Sequence, residues 1–425
     1  MRRRLTLVLA VCAAALWLAP GAFASWCGTG ESTKDLPDAV TAQQVHAVYV
    51  VPSDGADNFA AVANQLSDDT VSIDTWWATQ DPTRNPRFDQ ALFPGCTGLD
   101  ISFLRLAQTG AQLQGSASNA FDAVANALGQ AGFGSTYKDY LAYYDGPAPE
   151  ANICGTGAGD LGVGPGYAVV WLQGCPGVPT DTIAAHELLH ALGAVPAGDP
   201  NHCSGDAAHV CDNSLDVLYP YASGQPLTSL YLDFNHDDYY AHAPGWPDIQ
   251  QSPWLHLLQV AQVPLALTLS GAGSVTSDLP GVDCSATCTS QWDPGAAVTL
   301  VAAPAPGEAF LGWQGACTGQ GDCTLTLSAA QSVTAAFGVA TIALHVAVVG
   351  RGSVVCTPRC SAAFPEGAAL HVRAVPAKGW RFAGWGGGTC AGPAVRCAPS
   401  TQAPLTIRAV FKRLPPPVRK PKKKP

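Results

Sequence analysis

Thr180-Asp181-Thr182-Ile183-Ala184-Ala185-His186-Glu187-Leu188-Leu189-His190-Ala191-Leu192-Gly193 is the stretch on which the reading of this 425-residue chain turns. Ile183, Leu188, Leu189 and Leu192 supply the apolar residues of a helix. Thr180 or Asp181 can N-cap it, and Gly193 sits where a C′ glycine belongs. On that helix His186 and His190 project from one face, one turn apart, so two imidazoles can share one metal ion. Glu187 lies beside the first. A carboxylate there can take a proton from a metal-bound water and pass it to a leaving amine. Zinc suits such nitrogen ligands and keeps an open fourth position for the water.

A third protein ligand is needed. The extended form of the motif, HExxHxxGxxH or HExxHxxGxxD, has its glycine here at Gly193, but its last position is Pro196, which has no side-chain donor. The ligand therefore comes from further on, and the candidates are Asp199, His202 and His209. Six of the ten histidines fall within residues 186–242. His202 and His209 lie in a loop that Cys203 and Cys211 can close, and His202 is slightly preferred over His209.

Outward from this helix, Val45 to Val51 is β-branched and aromatic and reads as a strand. Phe59, Val62 and Leu66 are spaced for a short helix, Val71 to Trp77 alternates like a strand, and Phe121, Val124 and Leu128 line a helix stopping near Gly129. Tyr167 to Leu172 reads as a buried strand. These elements predict an α+β (α/β) catalytic-type domain over residues 25–262.

From about residue 265 helical periodicity stops and a repeat of about 72 residues begins. Gly271-Ala272-Gly273-Ser274-Val275 is echoed by Gly350-Arg351-Gly352-Ser353-Val354. Phe310-Leu311-Gly312-Trp313 is echoed by Phe382-Ala383-Gly384-Trp385, and Val333 to Phe337 by Ile407 to Phe411. Cys284, Cys288, Cys317 and Cys323 are echoed by Cys356, Cys360, Cys390 and Cys397. Two small all-β units, 265–339 and 341–412, each stapled by two disulfides, are expected, because short repeats bury little surface. The matched Trp313 and Trp385 are read as core residues rather than exposed ligand platforms.

Two resemblances follow. Ala185 to Val195, with Pro200-Asn201-His202, His209, Asp216-Val217-Leu218-Tyr219, Asp233 to Tyr240 and, upstream, Trp76-Trp77 and Tyr143 to Gly146, resembles secreted bacterial zincin-like metallopeptidases distantly related to metzincins. The resemblance implies a zinc endopeptidase with His186 and His190 as ligands, His202 or His209 as the third, and Glu187 as general base. Metzincins carry a methionine turn under the metal. Here Leu218 stands in that place, and the sole Met of the chain is Met1. The G-x-G-S-V, F-x-G-W and V-x-A-x-F motifs resemble divergent internalin B-type surface repeats, implying β-grasp-like stalk or binding units without catalysis.

Arg2 to Arg4, the apolar run Leu5 to Leu18 and Ala22-Phe23-Ala24 read as a secretory signal over residues 1–24, which makes the protein secreted or cell-surface associated. Its cleavage removes Cys12 and leaves 14 of 15 cysteines, an even number suited to disulfides. Residues 25–262 hold 26 acids against 5 bases. The Pro/Lys-rich tail, 413–425, is basic and is expected to be extended, with an anionic cell surface or cell wall as its candidate contact.

The formal net charge of −10 argues against a general nucleic-acid binder, and no apolar run is long enough to span a membrane. No P-loop or G-x-S-x-G motif occurs. Asp233, Asp237 and Asp238 are candidates for a structural calcium. Tyr219, Tyr239 and Tyr240 are candidate oxyanion donors that spacing does not separate.

The expected function is hydrolysis of protein or peptide substrates with zinc as cofactor. The rival reading is an inactive zincin-like adhesion protein acting through its β repeats. Pro196 and the missing Met favour the rival, and the intact Glu187 opposes it.

Overall fold

A computed structural model describes residues 26–195, 199–221, 224–386 and 390–415. The signal segment 1–24, Pro196 and the tail beyond Pro415 lie outside these residues. The chain forms two compact units, Met1–Gln259 and Val260–Pro425.

The first unit is built on a five-stranded sheet. Its strands are β1 (Gln44–Val51), β2 (Ile101–Arg105), β3 (Lys138–Tyr144), β4 (Gly155–Asp160) and β5 (Val163–Trp171), in the order β2-β1-β3-β5-β4. The pairings β1–β2, β1–β3 and β3–β5 are parallel, and β4 runs antiparallel on the edge. Both faces are covered, as parallel sheets require. Val45, Ala47, Tyr49 and Val51 face a core shared with α1 (Phe59–Gln80) and α3 (Thr180–Ala191). Val48 and Val50 face a second core with Val124 and Leu128 of α2 (Ala117–Ala131).

Three expectations need correction. Val71 to Trp77 is not a strand but the second half of α1. Ile73, Trp76 and Trp77 are buried while Val71 is 47% exposed, so the apolar face set by Phe59, Val62 and Leu66 continues at helical spacing. Packing against the sheet here overrides the β-branched propensity of Val71 and Ile73. Next, α2, expected to stop near Gly129, runs on to Ala131 and is capped by Gly132, whose φ of 102° is the left-handed conformation that glycine adopts most cheaply. Finally, Thr180 is the first residue of α3 rather than its cap, and neither it nor Asp181 is the N-cap. That place belongs to Pro179, which makes no side-chain cap hydrogen bond.

Three glycines of β4 set the place of α3. A Cβ added to Gly155 would meet Glu187 Cγ at 2.3 Å, one on Gly157 the Glu187 carbonyl at 2.4 Å, and one on Gly159 the Ala191 carbonyl at 1.9 Å. Every second residue of β4 is therefore bare on the side where α3 lies. Gly193 (φ 88°) ends the helix with its N–H on the His190 carbonyl, 3.0 Å away.

In the second unit each repeat is a pair of small sheets. In the first, Cys288–Trp292, Val263–Ser270, Gln331–Val339 and Glu308–Gly315 form one sheet; Asp283–Cys284, Gly273–Ser277, Ala296–Pro304 and Cys323–Leu327 form the other. The second repeat copies this with Ala363–Pro365, Thr341–Val349, Leu405–Arg413 and Trp380–Gly386, and then Gly352–Thr357, His371–Pro376 and Arg396–Cys397. The F-x-G-W motif is a bulge in both: the register slips between Phe310 and Gly312 and between Phe382 and Gly384. Trp313 and Trp385 are buried, with indole N–H groups on the carbonyls of Gly321 and Ala394.

Seven disulfides join the 14 described cysteines: Cys27–Cys96, Cys154–Cys175, Cys203–Cys211, Cys284–Cys288, Cys317–Cys323, Cys356–Cys360 and Cys390–Cys397. Each repeat holds two of them. Among the described residues no helix is long and apolar enough to cross a membrane.

Candidate metal centre

The α3 face opposite its core presents His186 and His190, and a hairpin brings a third imidazole to them. The hairpin is β6 (His202–Cys203) with β7 (Asp206–Val210), closed by Cys203–Cys211. His209 lies on β7. His186 Nε2 is 3.1 Å from His209 Nε2 and 3.3 Å from His190 Nε2. His202, placed first from the sequence, turns elsewhere: its Nδ1 donates to the Asp199 carbonyl at 2.9 Å, and its side chain is outside the cluster. Asp199 is buried and is likewise outside the cluster.

The outward-facing nitrogens of this cluster are held. His186 Nδ1–H donates to the Val217 carbonyl at 2.6 Å, and His209 Nδ1–H to Asp206 Oδ2 at 2.9 Å. A carbonyl oxygen can only accept, which fixes the proton of His186 on Nδ1 and leaves a lone pair on its Nε2. Two Nε2 atoms at 3.1 Å therefore meet lone pair to lone pair unless a cation lies between them. A proton is disfavoured in that role. Burial, reinforced by the His209 imidazole, depresses His186 to about 4, and burial with its two neighbours depresses His190 well below the ordinary range. For a tetrahedral ion at about 2.0–2.1 Å from each nitrogen, ligand atoms stand roughly 3.3 Å apart, so the donor set fits such an ion.

Glu187, 5% exposed, lies against β4, and burial raises its carboxyl well above the usual range. His186, Glu187 and His209 line a cavity of about 440 Å³, bounded by the Cys154–Cys175 disulfide, Ile183 and Tyr219. His190 lines a second cavity of about 470 Å³ along Gly157 to Leu161 of β4 and its turn. Leu218, the residue in the methionine position, is buried one residue after the carbonyl that holds His186. Tyr239 and Tyr240 are fully buried, with hydroxyls on Asp216 and Asp81, so of the three tyrosines only Tyr219 lines the cavity.

A second converging group lies near the start of β1: Asp35, His46, Asp89 and Asp100. A cationic side chain already stands inside it. Lys138 Nζ donates to Asp35 at 2.8 Å and to Asp38 and Asp89 at 2.6 Å, and His46 is held by Asp89 at 2.7 Å and Ser102 at 3.0 Å. Of the supporting groups, Val217 was quoted from sequence only as part of the turn that carries Leu218, and Asp206 and Lys138 were not singled out. A signal existed for Asp206, three residues before His209.

Comparison with known proteins bears on the second unit. Residues 265–341 and 342–415 match the family model described as the divergent InlB B-repeat domain. No curated protein matches the chain. Among solved structures, catalytically inactive OgpA from Akkermansia muciniphila, in complex with an O-glycopeptide (glycodrosocin) substrate, aligns over 73% of this chain and 100% of its own at 10% identity. The TM-score of 0.26 carries no argument about fold or activity.

Proposed function

We propose that the first unit is a zinc-dependent endopeptidase, with His186, His190 and His209 as metal ligands and Glu187 as general base. The observation that carries this reading is the convergence of three imidazole Nε2 atoms beside a buried carboxylate in a cleft. When bound, zinc polarises the scissile carbonyl and brings the pKa of its water to about 7. Glu187 accepts the proton of the attacking water and returns it to the leaving amine. A neighbouring cation favours its basic form, against the burial that raises its pKa. Val217 and Asp206 keep His186 and His209 in the tautomer and orientation a metal requires. Cavities on both sides of the histidines give room for a chain running past the site, which favours endo- over exopeptidase action.

The B-repeats support a second role beside the first: attachment to a cell surface. Their family match and the seven disulfides suit an extracellular or surface location. The test is casein hydrolysis by the zinc-loaded chain against Glu187→Ala. Activity should fall by about 10²–10⁴-fold with zinc content unchanged. Equal cleavage by the variant would leave adhesion through the repeats as the reading.

A further inference from the structure

Below the His209 hairpin lies a carboxylate that the peptidase reading does not use. Asp238 is 0% exposed, and neither of its carboxylate oxygens has a hydrogen-bond partner. The Asn201 side-chain N–H leans toward it as a weak donor that falls short of hydrogen-bond geometry, and favours its charged form. A buried carboxylate left bare costs several kcal/mol unless it is neutralised.

The surroundings of Asp238 add negative charge. One set of carboxylates around it, Asp216 and Asp233, is already in use. Asp233 accepts backbone N–H groups from Asp237, Asp238, Tyr239 and Tyr240. Asp216 accepts from the N–H groups of Leu218 and Phe234 and from the Tyr239 hydroxyl. These bonds shape the turn and hold Asp238 in place. The other set is open. Asp212 and Asp237 are exposed, and their oxygens lie within 4.8 Å of one another and of Asp238. An inner carboxylate without hydrogen bonds and two outer ones reaching solvent describe an oxygen cage with an entry path, which suits a hard divalent cation.

We propose that Asp212, Asp237 and Asp238 form a calcium site. The site ties the turn at 233–240 to Asp212, the residue that follows Cys211 and so leaves the His209 hairpin. Calcium there would hold the third imidazole in place; this consequence rests on the zinc reading, whereas the calcium site itself does not. Without the cation, burial and the neighbouring Asp233 push Asp238 up to about 8, so a proton is the competing occupant, and the test must separate the two.

The experiment is thermal unfolding of the full, zinc-free chain with and without calcium chloride, paired with terbium luminescence. For an extracellular-type site the dissociation constant should be about 0.1–1 mM. Calcium at tenfold above it should raise the wild-type midpoint by about 3–6 °C. Asp238→Asn should abolish the shift, and the exposed Asp212→Asn and Asp237→Asn should each weaken terbium binding at least about tenfold, which keeps the test alive if Asp238→Asn fails to fold. His209→Ala should retain the full shift, separating this site from the zinc site. No wild-type shift at 10 mM calcium, roughly ten times the top of that range, or an undiminished shift in Asp238→Asn, overturns the proposal and leaves a protonated Asp238.

Discussion

Among the described residues, two of the four clusters in the first unit whose side chains converge closely enough for a metal contain histidine, and they differ in what fills them. At α3 the imidazoles of His186, His190 and His209 converge, and among the described residues no Lys or Arg is paired with them. Near the start of β1, Asp35, His46, Asp89 and Asp100 converge equally well, but Lys138 stands within hydrogen-bond reach of Asp35, Asp38 and Asp89. The difference teaches that convergence of ligands implies an ion only where the fold has not supplied its own positive charge. It also separates two kinds of burial. The Lys138 network offsets desolvation with ion pairs, whereas the histidine cluster turns its Nε2 atoms toward one another at a spacing that suits a shared cation.

The largest effect should come from removing the internal cation. Lys138→Met leaves Asp89 buried among carboxylates and should cost about 3–5 kcal/mol in urea unfolding at pH 8. A loss below about 1 kcal/mol would mean that the network is not held by Lys138 and would blur the comparison.

How much of this was legible beforehand follows from the range of the forces involved. The α3 pattern, Gly193 and the four echoed repeat motifs are local, so spacing alone disclosed them. So did the pairing of Cys203 with Cys211, eight residues apart. The second half of α1 was misread because Val71 to Trp77 also alternates, and only packing against the sheet decides between the two periods. The sequence reading put His202 ahead of His209, and the structure brings His209 to the cluster instead, because side-chain direction across a hairpin depends on its register and on Asp206. The bare face of β4 is a period-2 glycine pattern, Gly155, Gly157 and Gly159, that was not read from the sequence, because what a bare face accommodates shows only once α3 lies on it.

A smaller effect sharpens the contrast through pH. Asp100 is pushed up to about 6 by burial, above its unfolded value near 3.9. Its charged form therefore opposes folding above pH 6, and the penalty is relieved as pH falls toward 4. His186 is depressed to about 4 from about 6.5, so the unfolded chain takes up its proton first, and folding weakens as pH falls from 6.5 to 4. In metal-free protein, the stability of wild type relative to Asp100→Asn should rise between pH 8 and 5. Relative to His186→Ala it should fall over the same interval. Urea midpoints at the two pH values read both signs; equal signs would show that the clusters respond as one.

The central claim is the identity of the third nitrogen, and the zinc-to-protein ratio of purified full-length chains measures it. Wild type and His202→Ala should each hold about one zinc per chain, and His209→Ala should hold far less, its affinity lowered by more than the roughly 10–100-fold that outer-shell changes cost. Wild type without stoichiometric zinc, or a His209→Ala chain that keeps zinc while His202→Ala loses it, would contradict the account.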